Sequence, residues 1–216
     1  MFIGHYAIAL AAKKAVPKTS LGMLVLAAQF LDLLWPLFLL LGWEHVRIEP
    51  GNTVFTPLDF YDYPISHSLL AVCGWAAGFS AIYYFMRREL RSAVILGACV
   101  LSHWLLDALT HRPDLPLLPG NEMRVGLGLW NHFAATVFIE VLLFTAGIFI
   151  YARATIAVDR IGRGAFLSFI LFLGGIWLAN IFSPPPPHVN AVAVAGLSLW
   201  LTALWAHWCD QHRKVR

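Results

Sequence analysis

Apolar residues fall into seven runs along the chain, separated by short polar connections. The first, Phe2 to Val16, is about 15 residues long against the ~20 that an α-helix needs to cross a bilayer. The second, Leu21 to Leu41, carries Asp32 and Pro36, and a proline inside a helix predicts a kink there. A polar, turn-rich stretch, Trp43 to Pro64, precedes the third run, Ile65 to Met86. Arg87 to Arg91 forms a tight basic turn into the fourth, Ser92 to Thr110. A loop rich in Pro and Gly, Arg112 to Gly128, leads to the fifth, Leu129 to Tyr151. The sixth, Gly164 to Ser183, and the seventh, Val189 to Trp208, flank Pro184 to Pro187, and a basic tail ends the chain. This pattern predicts an all-α fold: a polytopic helical bundle of about seven membrane segments, the first one short, forming a single transmembrane domain over 1–216.

Charge orients the bundle. Twelve of the fifteen Lys and Arg fall in alternate connections and the tail, and the other connections hold only Arg47, Arg112 and Arg124. The positive-inside rule places the basic side and the C-terminus in the cytoplasm. His5, Asp32, His67, His103 and Asp107 then converge on the outer leaflet from four segments. Seven of the nine histidines fall on that side, leaving His207 and His212 inside. Composition agrees with a membrane setting: 59% of residues are hydrophobic and 12% charged, with nine Trp and fifteen Phe. The basic residues lie in short clusters between apolar runs, so nothing in the net charge of +3 points to nucleic acid. Cys73, Cys99 and Cys209 match no metal or redox spacing.

The candidate chemistry centres on Ser102 to His111, where His103, Asp107 and His111 stand at i, i+4 and i+8. On a helix these share one face, and two imidazoles with a carboxylate suit a borderline divalent ion such as zinc, with manganese or iron as alternatives. Ionisable groups inside apolar helices are costly and are usually retained for function. The plain alternative is a helix end emerging among headgroups. His5 and His67 have similar alternatives, a headgroup-level residue and a helix-start residue behind an N-capping Ser66. Ser68 and Ser102 neighbour the histidines and are candidates to fix their tautomers. His132 and Glu140 lie eight apart on the fifth run. Glu140, deep in that run, either joins the site or pairs with a neighbouring helix. Tyr61, Tyr63, Trp104 and Trp130 read first as interfacial aromatics. No His-Glu-x-x-His helix and no Gly-rich phosphate loop occurs, and positions 92–101 lack the Arg of His-nucleophile phosphatases.

Several of these pieces together resemble a family of membrane-bound metal-dependent hydrolase-like proteins that includes a LexA-regulated bacterial inner-membrane protein. The matching pieces are Gly4-His5, Asp32 with Pro36, Ser66-His67-Ser68 where the family has Thr-His-Ser, Leu101-Ser102-His103 with Asp107 and Leu109-Thr110, and Leu115-Pro116-Leu117-Leu118-Pro119. They cover residues 1–120, and 121–216 add further membrane helices. The resemblance implies a bacterial inner membrane and metal-dependent hydrolysis, with a distant likeness to zinc-dependent phospholipase C in its His/Asp pattern. Two positions depart: Leu34 stands where the family has a second carboxylate, and Asp62-Tyr63 where it has His-Arg. A dinuclear site then depends on Asp62 substituting for that histidine.

The expectation is a metal-dependent hydrolase with His5, Asp32, His67, His103 and Asp107 as ligands and Asp32 or Asp107 activating water. Ser68, Ser102, Asp62, His111, His132 and Glu140 stand as auxiliaries. The expected partners are membrane lipids and a lipid-linked or membrane-associated (phospho)ester substrate, and the oligomeric state is open. Two alternatives use the same cluster: a metal-ion or proton transporter, and a non-catalytic protein whose metal clamps helices.

Overall fold

In the computed structural model, which describes residues 1–216, the seven apolar runs become ten helices. The chain begins with α1 (Ile3–Ala15), α2 (Leu21–Ala28) and α3 (Phe30–Leu41). The polar stretch that follows is an antiparallel ribbon, β1 (His45–Ile48) with β2 (Leu58–Asp62), in register His45↔Asp62 and Ile48↔Leu58. A single turn, α4 (Pro64–His67), leads into α5 (Leu69–Arg87) and α6 (Leu90–Thr110). After the small ribbon β3 (Leu115–Pro116) with β4 (Arg124–Val125) come α7 (Phe133–Ala154), β5 (Thr155–Ala157) and α8 (Arg160–Phe182). The chain ends with α9 (Val189–Leu197), α10 (Leu199–Gln211) and β6 (Arg213–Val215).

Five helices are long and apolar enough to cross a membrane, and six if α2 and α3 count as one bent span. Large apolar side chains on their outer faces, such as Ile82, Phe85, Phe138, Leu142, Leu171 and Leu204, are exposed. This is the make-up of a helical membrane protein. α6 is the central helix: half of its apolar window is buried in protein, against 11–22% for the other four.

α1 has 13 residues, which at 1.5 Å per residue is about 20 Å, well short of the ~30 Å hydrocarbon core. Instead of facing lipid it is enclosed, with Tyr6, Ala9 and Leu10 fully buried. Small residues let it approach α7, because a Cβ placed on Gly147 would stand 2.8 Å from Ala7 Cα. Close backbone approach at small residues is the usual way for helices to associate in lipid. Overpacking at such a contact costs about 1–3 kcal/mol. Gly147→Val is therefore expected to lower the thermal midpoint of the purified protein, followed with a thiol-reactive dye that reports the buried Cys99 and Cys209. An unchanged midpoint would contradict this seating of α1.

The second run bends by 56°, but at Gln29 and not at Pro36. Pro36 is accommodated inside α3, where its ring packs on Gly196 of α9, a position with no room for a Cβ. The break at Gln29 frees the carbonyl of Ala28, which a side chain from α6 takes up. The third run also divides: Ser68 is extended and its hydroxyl accepts from Ala71 N–H, capping α5. Ser198 interrupts the seventh run in the same region of the sequence where α9 meets α10.

The end of the bundle that carries the basic residues is pinned by Asp210 of α10. Its carboxylate accepts from the buried Lys13 Nζ at 2.5 Å, from Leu21 N–H at 3.1 Å and from Tyr151 OH at 2.8 Å. One side chain thus ties α1, α2 and α7 to α10. The tail forms β6, antiparallel to β5. Asp159 caps α8, and the Gly162 N–H and His212 beside it hold its carboxyl below the ordinary carboxylate range. The opposite end carries both loop ribbons and the His/Asp cluster.

Candidate metal centre

The cluster is built outward from α6. His103 Nδ1 lies 2.7 Å from the carbonyl of Ala28 that the bend at Gln29 sets free. A carbonyl can only accept, so Nδ1 carries a proton, and in the neutral ring Nε2 keeps its lone pair. That Nε2 is fully buried and has no hydrogen-bond partner, although it stands 3.1 Å from Asp107 Oδ2 and 3.5 Å from Asp32 Oδ1. Acceptors that close call for a proton or a metal cation between them.

His67, at the end of α4, completes the group. Its Nε2 is 3.7 Å from Asp32 Oδ1 and 3.8 Å from Asp107 Oδ2. Four atoms from three helices (Asp32 Oδ1, His67 Nε2, His103 Nε2 and Asp107 Oδ2) thus stand 3.1–3.8 Å apart in these four pairs. A tetrahedral site with metal–ligand distances of 2.0–2.2 Å has edges of about 3.3–3.6 Å. The donor set suits a divalent ion, and four of the six edges of such a site lie near that range.

His67 is aimed by two residues that the sequence did not single out as site residues. Its Nδ1 is 2.6 Å from Ser66 Oγ, and Ser66 Oγ donates to Glu44 Oε2 at 2.6 Å. Because the hydroxyl proton goes to the carboxylate, Ser66 accepts from His67 Nδ1–H, and Nε2 again turns its lone pair to the cluster. Glu44 Oε1 also accepts from the backbone N–H groups of Ile65 and Ser66, both at 2.7 Å, which fixes the α4 turn. Burial pushes the Glu44 carboxyl above its ordinary value, against the opposing pull of the Ser66 hydroxyl and N–H. A carboxylate–hydroxyl–histidine chain of this kind fixes tautomer and ring orientation for a metal ligand. Its only sequence signal is Ser66 next to His67, since Glu44 lies in the ribbon stretch at no characteristic spacing.

The second oxygen of Asp107 faces another group. Oδ1 is 2.7 Å from the Met1 nitrogen, 3.2 Å from His5 Nε2 and 4.0 Å from His111 Nε2. The His5 ring stacks on His103, with centroids 3.6 Å apart. His111 is held by Asp114, whose Oδ1 is 2.9 Å from Nδ1 and also accepts from Tyr63 OH at 3.0 Å. Two triads, His5–His103–Asp107 and Asp32–His67–His103, have their potential ligand atoms within 4.8 Å of one another.

The other residues picked out from the sequence are placed elsewhere. Ser68 caps α5, and Ser102 Oγ donates to the Cys99 carbonyl, so neither touches a histidine. On a helix a serine hydroxyl finds the backbone one turn back before it finds a neighbouring ring. Asp62 pairs with His45 across the ribbon at 2.7 Å, on half-exposed side chains, and does not join the cluster. His132 is exposed at the start of α7. Glu140, about two helix turns further in, is drawn toward the site: its Oε2 accepts from the backbone N–H groups of Phe2 at 3.1 Å and Ile3 at 2.9 Å. It thereby caps α1, a favourable place for a carboxylate, while Oε1 is buried without a partner.

A cavity of about 560 Å³ opens from the cluster, with Asp32, His67, Asp107 and Glu140 in its wall. It extends between α3, α8, α9 and the start of α10 over apolar side chains that include Ile176, Val192 and Leu199. Comparison with protein-family models, with curated proteins and with solved structures finds no match for the chain.

Proposed function

We propose that the protein is a metal-dependent hydrolase of a bacterial inner membrane, with seven membrane segments counting the short α1. Its C-terminus is cytoplasmic and its site opens at the outer leaflet. The observation that carries this reading is the buried, unpartnered His103 Nε2 set 3.1 Å from Asp107 Oδ2 and 3.5 Å from Asp32 Oδ1. Asp32, His67, His103 and Asp107 would hold the ion, zinc being favoured by two imidazoles with two carboxylates. When bound, such an ion supplies a Lewis acid and lowers the pKa of a water toward neutrality.

The four side chains divide the remaining work. Asp107 is 3% exposed and engaged on both oxygens, so it acts as ligand and anchor. Asp32 is 28% exposed and faces the cavity, which makes it the group to take a proton from the attacking water. The Met1 nitrogen and His5 brace the far oxygen of Asp107. The apolar cavity receives the substrate, a membrane-associated ester.

The test is hydrolysis by the purified protein in nanodiscs, loaded with zinc, manganese or iron and supplied with lipid esters in ¹⁸O-water. One label is expected in the product, with Asp32→Asn slower by about 100-fold or more, the usual reach of general-base catalysis. Full metal occupancy with no product from any ester would overturn the reading. A second reading, metal-ion transport, draws on the α2–α3 break, because transporter sites form at broken helices. Gln29 at that break is fully buried with neither amide atom partnered. The chain contains one such break, whereas repeat-built transporters carry a pair. Zinc uptake by proteoliposomes would select it.

A further inference from the structure

The cavity has a roof and an open side. The loop of the first ribbon forms the roof, with Phe55, Pro57 and Leu58 in the cavity lining. Phe55 rests on Phe133 at the start of α7, ring centroids 6.2 Å apart, and Phe60 bridges Trp35 and Trp130 at 5.4 and 6.1 Å. The open side lies between α8 and the last run of the chain. Toward the basic end these two pack together, Trp205 of α10 meeting Phe169 and Phe172 at 5.8 and 5.1 Å. Toward the cluster end they part. There α9 turns to α3, seating Gly196 on Pro36, while Ile176, Trp177 and Asn180 of α8 line the cavity. Ser183 to His188 joins the two limbs beyond the gap like an arch.

The edges of this gap are exposed: Asn180 and Ser183 on α8, Ala195 on α9. Beside them Leu178, Phe182 and Val194 are 49–74% exposed, on helices long and apolar enough to span a membrane. Such faces lie against acyl chains, so the gap opens on hydrocarbon and not on water. Behind it Pro36, Trp177 and Leu199 present an apolar wall, which water covers poorly and a hydrocarbon chain covers well. Polar side chains are uncommon on membrane helices unless they meet a cavity or a polar group. Asn180 and Ser183 stand on the rim near the outer end of α8, where the linkage between the chain and the headgroup of a lipid would pass.

We propose that the gap between α8 and α9 is a lateral entrance, and that its occupant is the hydrocarbon chain of a lipid from the surrounding bilayer. That this lipid is also the substrate of the metal centre rests on the hydrolase reading above. The chain lies along Ile176, Val192 and Leu199, and its polar linkage is held beneath the ribbon, in the space that Asp32 also lines. Lipid thereby reaches the cluster without leaving the bilayer, and the roof can stay closed.

The full chain in nanodiscs of phosphatidylcholine bearing a photoactivatable diazirine on one acyl chain tests the route, with the attached lipid mapped by mass spectrometry. Label is expected on Trp35 and Trp177, which are 8% and 6% exposed and line the cavity, as well as on the outward Leu178 and Phe182. Ala195→Trp, which fills the gap, should remove most of the label from Trp35 and Trp177 and leave that on Leu178 and Phe182. Asn180→Trp, from the opposite rim, serves where Ala195→Trp lowers the thermal midpoint. With metal bound, the same variants should slow hydrolysis of a lipid ester in the bilayer at unchanged metal content. Label confined to Leu178 and Phe182 would overturn the entrance and leave the hydrolase standing. Cavity label that both variants leave unchanged would overturn the entrance as well. Cavity label lost in the variants, with no turnover of any lipid ester by fully metallated protein, would uphold the entrance and overturn the hydrolase.

Discussion

Protein carrying His103→Ala together with Asp107→Ala is expected to leave purification with about a tenth or less of the metal held by the parent, since it has lost two of the four proposed ligands. Parent and variant are compared by elemental analysis after identical reconstitution with zinc, manganese or iron. The two positions matter most because α6 is the one helix that faces both halves of the cluster: His103 Nε2 and Asp107 Oδ2 are 3.1 Å apart on its inner face. Alanine is the best helix former, so α6 itself persists. Asp107 also anchors the Met1 nitrogen and His5 Nε2, and its loss leaves those groups without a counter-charge. Asp107→Asn, which keeps the side-chain volume, is the control for that effect and should still lose most of the metal. Equal and near-zero metal in parent and variants would sink the metal centre, and the cluster would then be a proton-linked clamp between α1, α3 and α6.

The second large effect is expected away from the ligands. Ser66→Ala should weaken metal binding by about 10–100-fold, the usual cost of losing a group that orients a ligating histidine. The hydroxyl is the only link between His67 Nδ1 and Glu44 Oε2, at 2.6 Å on each side. Without it the imidazole loses the acceptor that holds its proton on Nδ1, and the ring is free to turn Nε2 away. Ser66→Thr restores the hydroxyl and should recover most of the affinity. Glu44→Gln should weaken binding in the same direction, because an amide in place of the carboxylate is a poorer acceptor for that hydroxyl. Competition against a chelator of known affinity measures all three. Unchanged affinity in Ser66→Ala with a loss in Glu44→Gln would assign Glu44 to holding the α4 turn through Ile65 and Ser66 and not to aiming His67.

The hydrophobic pattern was sufficient for the membrane helices, because in lipid each one must satisfy its own backbone and so announces itself as an apolar run. The pairing of His103 with Asp107 was equally legible, since i and i+4 share a face on any α-helix. Local chemistry also marked Asp32 and His67 as ionisable residues in or beside apolar runs, where they are expensive. Other features had no local cause to read. α1 is too short to span and looked like a marginal first segment; only the close contact of Ala7 with Gly147 shows it enclosed by the bundle. Pro36 pointed to a kink that Gly196 absorbs, while the true bend is stabilised by His103, 75 residues away.

Glu44 and Ser66 likewise gain their role from the ribbon folding back over α4, and Lys13 meets Asp210 across 197 residues. Periodicity reports which way a side chain faces on its own helix. It says nothing about which distant carbonyl or carboxylate will be waiting there. The sequence by itself therefore determined the helical membrane class of the protein, its apolar helices and the residue types of its candidate site. The tertiary structure alone decided where the second run breaks, which nitrogen of each histidine is free, and which residues hold them.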